Sequence, residues 1–180
     1  MSNVLTLSRN AINPNCNDFP EKFFYTDLER VNNGILSQPD LLNRKEAPSR
    51  AQRVLSKGDI LYQTVRPYQR NNLFFNLDDD YVASTGYAQL RAKINSRFLY
   101  QLIFSIDFVN KVLSRCTGTS YPAINSSDLA NITITLPNVN YEQEKIANFL
   151  TSIDKKIDAV GLQIEKLEKF KKGLLQKMFV

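Results

Sequence analysis

The sequence predicts an α+β fold: one domain with a curved or barrel-like mixed sheet and a few helices, followed by a single long coiled-coil helix. Three observations predict it. Up to Pro137, short apolar runs are interrupted by turn residues. Beyond Pro137 the chain contains no proline, is rich in Glu, Lys, Leu and Ile, and repeats its apolar residues every three or four positions. Of the 180 residues, 43% are hydrophobic, with 11 Phe and 8 Tyr, which is enough to pack one ordinary domain with an appendage. The expected division is a domain over residues 1–138 and a helix over 139–180.

Each element has its local reason. Gly58-Asp59 opens an apolar run over residues 60–65 (ILYQTV) and Pro67 closes it, the pattern of a buried strand. Residues 72–77 (NLFFNL) and 81–83 read as strands around the acidic turn Asp78-Asp79-Asp80, and residues 87–93 (YAQLRAK) as another. Residues 98–113 carry Leu99, Leu102, Ile103, Ile106, Val109 and Leu113 at helical spacing. Residues 132–136 (ITITL) alternate as a strand does.

The last helix is predicted over residues 141–180. Asn140 is its expected cap, with Gln143 as capping-box partner. Glu142 and Glu144 suit the positive end of the helix dipole, and Lys171, Lys172 and Lys177 the negative end. Ile146, Leu150, Ile153, Ile157, Val160, Ile164 and Leu167 are spaced alternately four and three apart, and after Lys171 the series resumes at Leu174. That is a heptad seam, on a rod of roughly 60 Å at 1.5 Å per residue. A domain of this size cannot cover such a stripe along its length, so a partner helix is expected. Gly161 and Gly173 lie off the seam.

Composition excludes much chemistry. There is no His, hence no His-based triad and no His-ligated zinc. Cys16 and Cys116 are expected as reduced, buried thiols. None of the six Gly forms a G-x-G-x-x-G or P-loop pattern, and no Asn/Asp-Pro-Pro-Tyr motif occurs. Asp78-Asp79-Asp80 reads as an exposed turn in preference to a Mg²⁺ site, and Ser120 and Ser126 have no base to activate them. The chain by itself is therefore expected to be no enzyme. The opening MSNVLTLSRN lacks an apolar signal core, and no apolar run spans a bilayer, so a soluble cytoplasmic chain is expected.

The charge is more informative. Net charge is +5. Between residues 44 and 70 stand Arg44, Lys45, Arg50, Arg53, Lys57, Arg66 and Arg70 against Glu46 and Asp59, so this stretch equals the whole excess. A local basic concentration suits a polyanion. Three segments have side chains able to touch nucleic acid. Arg50-Ala-Gln-Arg53, read as a loop, offers Arg and Gln, which read guanine and adenine edges. Arg66-Pro-Tyr-Gln-Arg70-Asn-Asn72 follows a strand end. Arg115-Cys-Thr-Gly-Thr-Ser-Tyr121 offers hydroxyls and amides to a phosphate, although such turns equally often satisfy only themselves.

The sequence Lys57-Gly-Asp-Ile-Leu-Tyr-Gln-Thr-Val-Arg-Pro67 resembles the GDIL-x-x-x-R-P strand of target recognition domains in type I restriction–modification specificity subunits. Gly118-Thr-Ser-Tyr-Pro-Ala-Ile124, Asp128-Leu and Ile134-Thr-Leu-Pro137 resemble that family's closing segment, and Glu142-Gln-Glu-Lys-Ile-Ala147 the start of its long helix. The resemblance runs from about Tyr25 to Val180, while the family's usual Trp-x-x-Val/Leu-x-Leu-Gly-Asp entry is missing from the first twenty residues.

The resemblance implies a half-subunit with one target recognition domain and one long helix. Two copies, paired antiparallel through Ile146, Leu150, Ile153, Ile157, Val160, Ile164, Leu167 and Leu174, would read a bipartite site in double-stranded DNA. It would tether adenine-methylating modification subunits and, through them, restriction subunits. S-adenosylmethionine, ATP and Mg²⁺ would belong to those partners, with no cofactor in this chain. Arg50, Gln52, Arg53, Arg66, Gln69 and Arg70 are the expected base-reading face, and Lys57, Lys93 and Arg97 the phosphate positioners. Thr117, Thr119 and Ser120 join them from the third segment; Tyr68 is open to core packing or stacking. Two competing classes are a coiled-coil adaptor whose globular head binds protein, and a metal-dependent nuclease at Asp78-Asp79-Asp80.

Overall fold

The structure, a computed structural model, describes residues 2–7, 11–12, 19–37 and 39–179. Cys16 lies outside the described residues. Among the described residues, twelve strands and four α-helices follow in order: β1 (Ser2–Thr6), β2 (Ala11–Ile12), β3 (Lys22–Thr26), β4 (Val31–Asn32), β5 (Ile35–Leu36), β6 (Asp40–Asn43), β7 (Ala51–Val54), β8 (Ile60–Gln63), β9 (Leu73–Phe74), β10 (Tyr81–Ser84), β11 (Tyr87–Ala92), α1 (Ser96–Leu102), α2 (Ile106–Leu113), α3 (Ser126–Ala130), β12 (Thr133–Pro137) and α4 (Asn140–Met178). The strands make two four-stranded sheets, β6-β3-β10-β7 and β2-β11-β8-β9, with the small pairs β1-β12 and β4-β5. The first is mixed, because β3 and β10 run parallel. β10 and β11 are consecutive but belong to different sheets, so the chain crosses from one to the other at Thr85-Gly86. The sheets curve around the core without closing into a barrel.

Strand alternation divides the interior. Ile60 and Tyr62 of β8 face the largest cluster, with Leu99, Ile103, Phe108, Val112 and Ile132, whereas Leu61 faces a second with Phe75, Tyr81 and Tyr87. All four residues of β8 are buried, which is why it reads as a continuous apolar run and not as alternation. In β10, Tyr81 and Ala83 join the second cluster and Val82 a third, with Phe23 and Ala51. Gly86 leaves room for Leu28: a Cβ there would stand 2.9 Å from a Leu28 methyl and the leucine side chain would have to shift.

Several expectations need correction. The predicted helix over 98–113 is two helices. Asn95 caps α1 by accepting from Phe98 N–H, and Ser105 caps α2 by accepting from Phe108 N–H, so the second cap ends the run between them. Ile106 thereby leaves the apolar face and stands exposed. Arg50-Ala-Gln-Arg53 is not a loop, since Ala51 buries itself against Phe23 and Val82 and commits the segment to β7. Of 72–77 only Leu73 and Phe74 pair as strand. Asn140 is the first residue of α4 and Val139 its cap, and the Gln143 amide donates instead to the Pro137 carbonyl at 3.0 Å. The capping box fails because Gln143 is buried against the preceding strand. Strands β3, β6 and β7 carried too few distinctive residues to be read in advance.

The early part of α4 packs on its own domain. Ala147 is buried and Ile146 packs against the main cluster with it, while Leu150 lines a groove with Phe98, Leu102 and Ile134. Ile146 and Leu150 are therefore half-buried against this chain's own domain. From Ile157 onward Val160, Ile164, Leu167 and Leu174 are exposed. No helix among the described residues is long and apolar enough to cross a membrane.

Candidate nucleic-acid interface

At its start β8 is clasped by charge. Asp59 is 1% exposed and accepts from Ser56 N–H at 2.8 Å, from the Gln89 amide at 2.7 Å, and from Arg91 Nε and Nη2, both at 2.8 Å. Burying a carboxylate is costly unless it is paired and hydrogen-bonded, and these donors supply both. The aspartate of the Gly-Asp-Ile-Leu run is thus structural, and Arg91 neutralises it, so it does not offset the basic surface.

At its other end β8 delivers Gln63 and Thr64 to a loop cluster. Val65 bridges Ala123, Arg66 N–H donates to Pro122 O at 2.7 Å, and Ile124 N–H to Thr64 O at 3.0 Å. Thr117 and Ala123 exchange both backbone bonds at 2.9 Å and close the loop between them. Gly118, at φ +92°, turns that loop, because a Cβ would meet Tyr121 O at 3.0 Å. Two of the three predicted segments are therefore stitched into one structure. The Arg66 guanidinium lies over the Tyr121 ring at 4.1 Å from its centroid.

Arg66 and Arg70 flank a 3₁₀ turn at Pro67–Gln69 and both are left-handed, with φ of 53° and 56°. Each such conformation in a non-glycine residue costs on the order of 1–3 kcal/mol and is retained where the surroundings enforce it, often at functional sites. Arg66 Nε and Arg53 Nε are buried without a hydrogen-bond acceptor. A groove of about 720 Å³ opens here, lined by Arg50, Gln63, Arg66, Gln69, Thr85 and Tyr121 among others. Arg50 reaches it because its carbonyl accepts from Thr85 N–H at 2.9 Å at the crossing between the sheets.

The predicted site residues separate into two groups. Arg50, Arg66 and Gln69 line the groove; exposed Arg70 adjoins Gln69, and exposed Thr117, Thr119 and Ser120 share the Tyr121 loop. Tyr68 is half exposed at the middle of the turn, which excludes core packing. On β7, Gln52 is exposed with its amide donated to Ser49 O, while Arg53 is half-buried on the opposite face. Lys57, Lys93 and Arg97 lie elsewhere. The register pairs Ile60 with Leu90 and Gln63 with Tyr87, so Lys57 and Lys93 sit at the end of the sheet opposite Arg66. At about 3.3 Å per residue, that is a separation on the order of 25 Å. Lys57 pairs with Asp78 at 2.7 Å in the exposed Asp78–Asp80 turn, and Arg97 stacks on Phe74 at 4.4 Å. Sequence reasoning placed Tyr121 only at the end of the third segment, without a role of its own, and omitted Gln63 and Thr85, which carry no charge to mark them.

Arg97 lines a second groove, of about 650 Å³, between α1 and α4. Tyr100 packs there edge-on to Phe74 and Phe104. Burial, with Asp154 and Asp158 adding to it, pushes the Tyr100 hydroxyl up to about 12. No cluster of three His, Cys, Asp or Glu side chains able to hold a metal occurs among the described residues.

Residues 4–169 match the family model described as the type I restriction modification DNA specificity domain. The chain is 28% identical over 170 residues to the HindI specificity subunit of Haemophilus influenzae, covering 91% of this chain and 37% of that protein. It is also 28% identical over 145 residues to the MjaVIII specificity subunit of Methanocaldococcus jannaschii, covering 81% and 29%. Among solved structures, the HsdS subunit from Thermoanaerobacter tengcongensis superposes with a TM-score of 0.73 at 27% identity, over 98% of this chain and 48% of that one. A chain from a study of complex assembly and conformational transition in the type I R-M system gives a TM-score of 0.76 at 26% identity, over 93% and 46%. The chain thus spans less than half the length of each of these relatives.

Proposed function

The chain belongs to the type I restriction modification DNA specificity family, and from that premise we propose that it is a non-catalytic specificity subunit reading one part of a double-stranded DNA site. The observation that carries this reading is the convergence of Arg50, Arg66, Gln69 and the Tyr121 loop on one groove. Its donors match base edges and phosphates. In this reading residues 1–138 form the recognition domain and 139–180 a dimerisation helix.

Two copies pair through the part of the seam that this chain leaves open, Ile153, Ile157, Val160, Ile164, Leu167 and Leu174. The family resemblance favours an antiparallel pair, which sets the two recognition domains at opposite ends of a rod, suited to a bipartite site. The dimer tethers modification subunits and, through them, restriction subunits, which hold S-adenosylmethionine, ATP and Mg²⁺.

The test is binding of the chain, assembled with modification subunits, to duplex DNA over a range of salt. Affinity is expected to fall steeply as salt rises. Arg66→Ala is expected to weaken binding about tenfold or more while leaving the oligomer intact. Salt-independent binding, or Arg66→Ala with unchanged affinity, removes the groove from the interface.

A further inference from the structure

We propose that buried Gln63 is a positioning residue for sequence readout: it fixes the Gln69 amide so that Gln69 offers DNA a hydrogen-bond donor and withholds its acceptor. The inference rests on the DNA-reading role proposed above and adds to it which kind of base edge Gln69 can accept as partner.

The argument starts from a group whose polarity is not negotiable. Asn71 N–H is a backbone donor, and it points at Gln63 Oε1 at 3.1 Å. Were the Gln63 amide reversed, two donors would face each other, so the oxygen belongs there. Gln63 Nε2 must then lie on the other side, where it donates to Gln69 Oε1 at 2.9 Å. The same logic turns the Gln69 oxygen inward and its NH₂ outward. Gln63 cannot drift from this role. It is 3% exposed, it is paired with Tyr87 across β8 and β11, and its own N–H donates to Asn72 Oδ1 at 2.9 Å. Gln69 itself is exposed at the groove edge beside Arg66.

A free glutamine reads adenine with both ends of its amide, donating to N7 while accepting from the N6 amino group. Turned as it is here, Gln69 contributes its donor, with its oxygen engaged by Gln63. Its matching partners are acceptor edges in the major groove, guanine O6 or N7, adenine N7 and thymine O4. The mismatched partner is cytosine, whose major-groove edge presents a donor. Gln63 touches no DNA in this account and acts only through Gln69.

The experiment is selection of duplexes randomised at each position of the half-site, by the chain assembled with modification subunits. The wild-type assembly is expected to disfavour cytosine at the position read by Gln69 by about tenfold. In Gln63→Glu the introduced carboxylate still accepts from Asn71 N–H but cannot donate, so the Gln69 amide reverses and its oxygen faces outward. Preference at that one position is expected to move to a donor edge, cytosine or adenine, with the other positions unchanged. Gln69→Glu, which also presents an acceptor, should move it the same way. Gln63→Glu combined with Gln69→Ala should behave as Gln69→Ala alone, and in the ¹⁵N-labelled chain Gln63→Glu should protect the Gln69 side-chain amide protons from exchange. A folded Gln63→Glu that selects wild-type DNA overturns the proposal. If Gln63→Glu does not fold, Gln69→Glu decides: unchanged preference overturns the proposal equally. A wild-type assembly that selects no sequence overturns the DNA-reading role itself, which separates the two failures.

Discussion

Asp59 and the buried tyrosines are where single side chains weigh most on the fold. Asp59→Ala would strip acceptors from Ser56 N–H, Gln89 and Arg91 at once. Arg91 keeps partial access to water, so the expected loss is about 2–4 kcal/mol, read as a lower urea midpoint at unchanged slope. The clasp lies far from the groove, so DNA selectivity of the folded fraction should not change. Tyr62, Tyr87 and Tyr100 give a pH signature. Burial is the leading cause in all three and raises each hydroxyl above its ordinary 10.0, to about 12 for Tyr100. The unfolded chain therefore ionises first. These groups stabilise the fold fully below about pH 10, and that contribution is lost as pH rises through the folded values, beyond about 12. Phenolate absorbance followed beside circular dichroism should show these buried tyrosines ionising only as structure is lost. Buried tyrosines that titrate near 10 in a folded chain would contradict this packing.

The long helix divides its own sequence between two tasks. One heptad rule runs from Ile146 to Leu174, yet the first positions lean on β12 and α1 while the later ones face outward. Two substitutions of the same kind should therefore behave differently. Ile157→Asp, at an exposed seam position, is expected to lower the solution mass by light scattering from dimer to monomer and to leave thermal unfolding of the head unchanged. Ile146→Asp puts a charge against the main cluster and is expected to destabilise the head itself by about 3 kcal/mol or more. If Ile157→Asp remains dimeric, the exposed seam is not the pairing surface. The heptad pattern reveals the seam, but periodicity carries no information on where a helix leaves its domain.

Across the whole molecule, basic residues that look like one patch in the chain are spread over both sheets, and Lys57 and Arg66 stand at opposite ends of β8. Lys57 is only nine positions from Arg66, but β8 runs straight between them, and Lys57 is paired with Asp78. Lys57→Ala and Arg97→Ala are accordingly expected to change DNA affinity less than about threefold at physiological salt. Arg50→Ala, at the groove, should have an effect of the size expected for Arg66→Ala. Equal losses at both ends would mean that the DNA path follows the full length of the sheet.

Much of this protein is written in local pattern. The buried strand at 60–63, the strand before Pro137, the long helix and its seam follow from apolar spacing, and the absence of His from composition alone. Local pattern is enough there because each element's own periodicity names the face it must bury. Strands β3, β6 and β7 are held by partners up to sixty residues away, and the break at Ser105 by a cap that competes with helical spacing, so neither shows in a local window. The groove belongs to the same category. It exists because a crossing at Thr85-Gly86, a strained turn at Pro67–Gln69 and a loop closed between Thr117 and Ala123 meet in space. Residue type marked the arginines, but only long-range backbone bonds decided which of them stand together, and only a buried amide chain decided which way Gln69 faces.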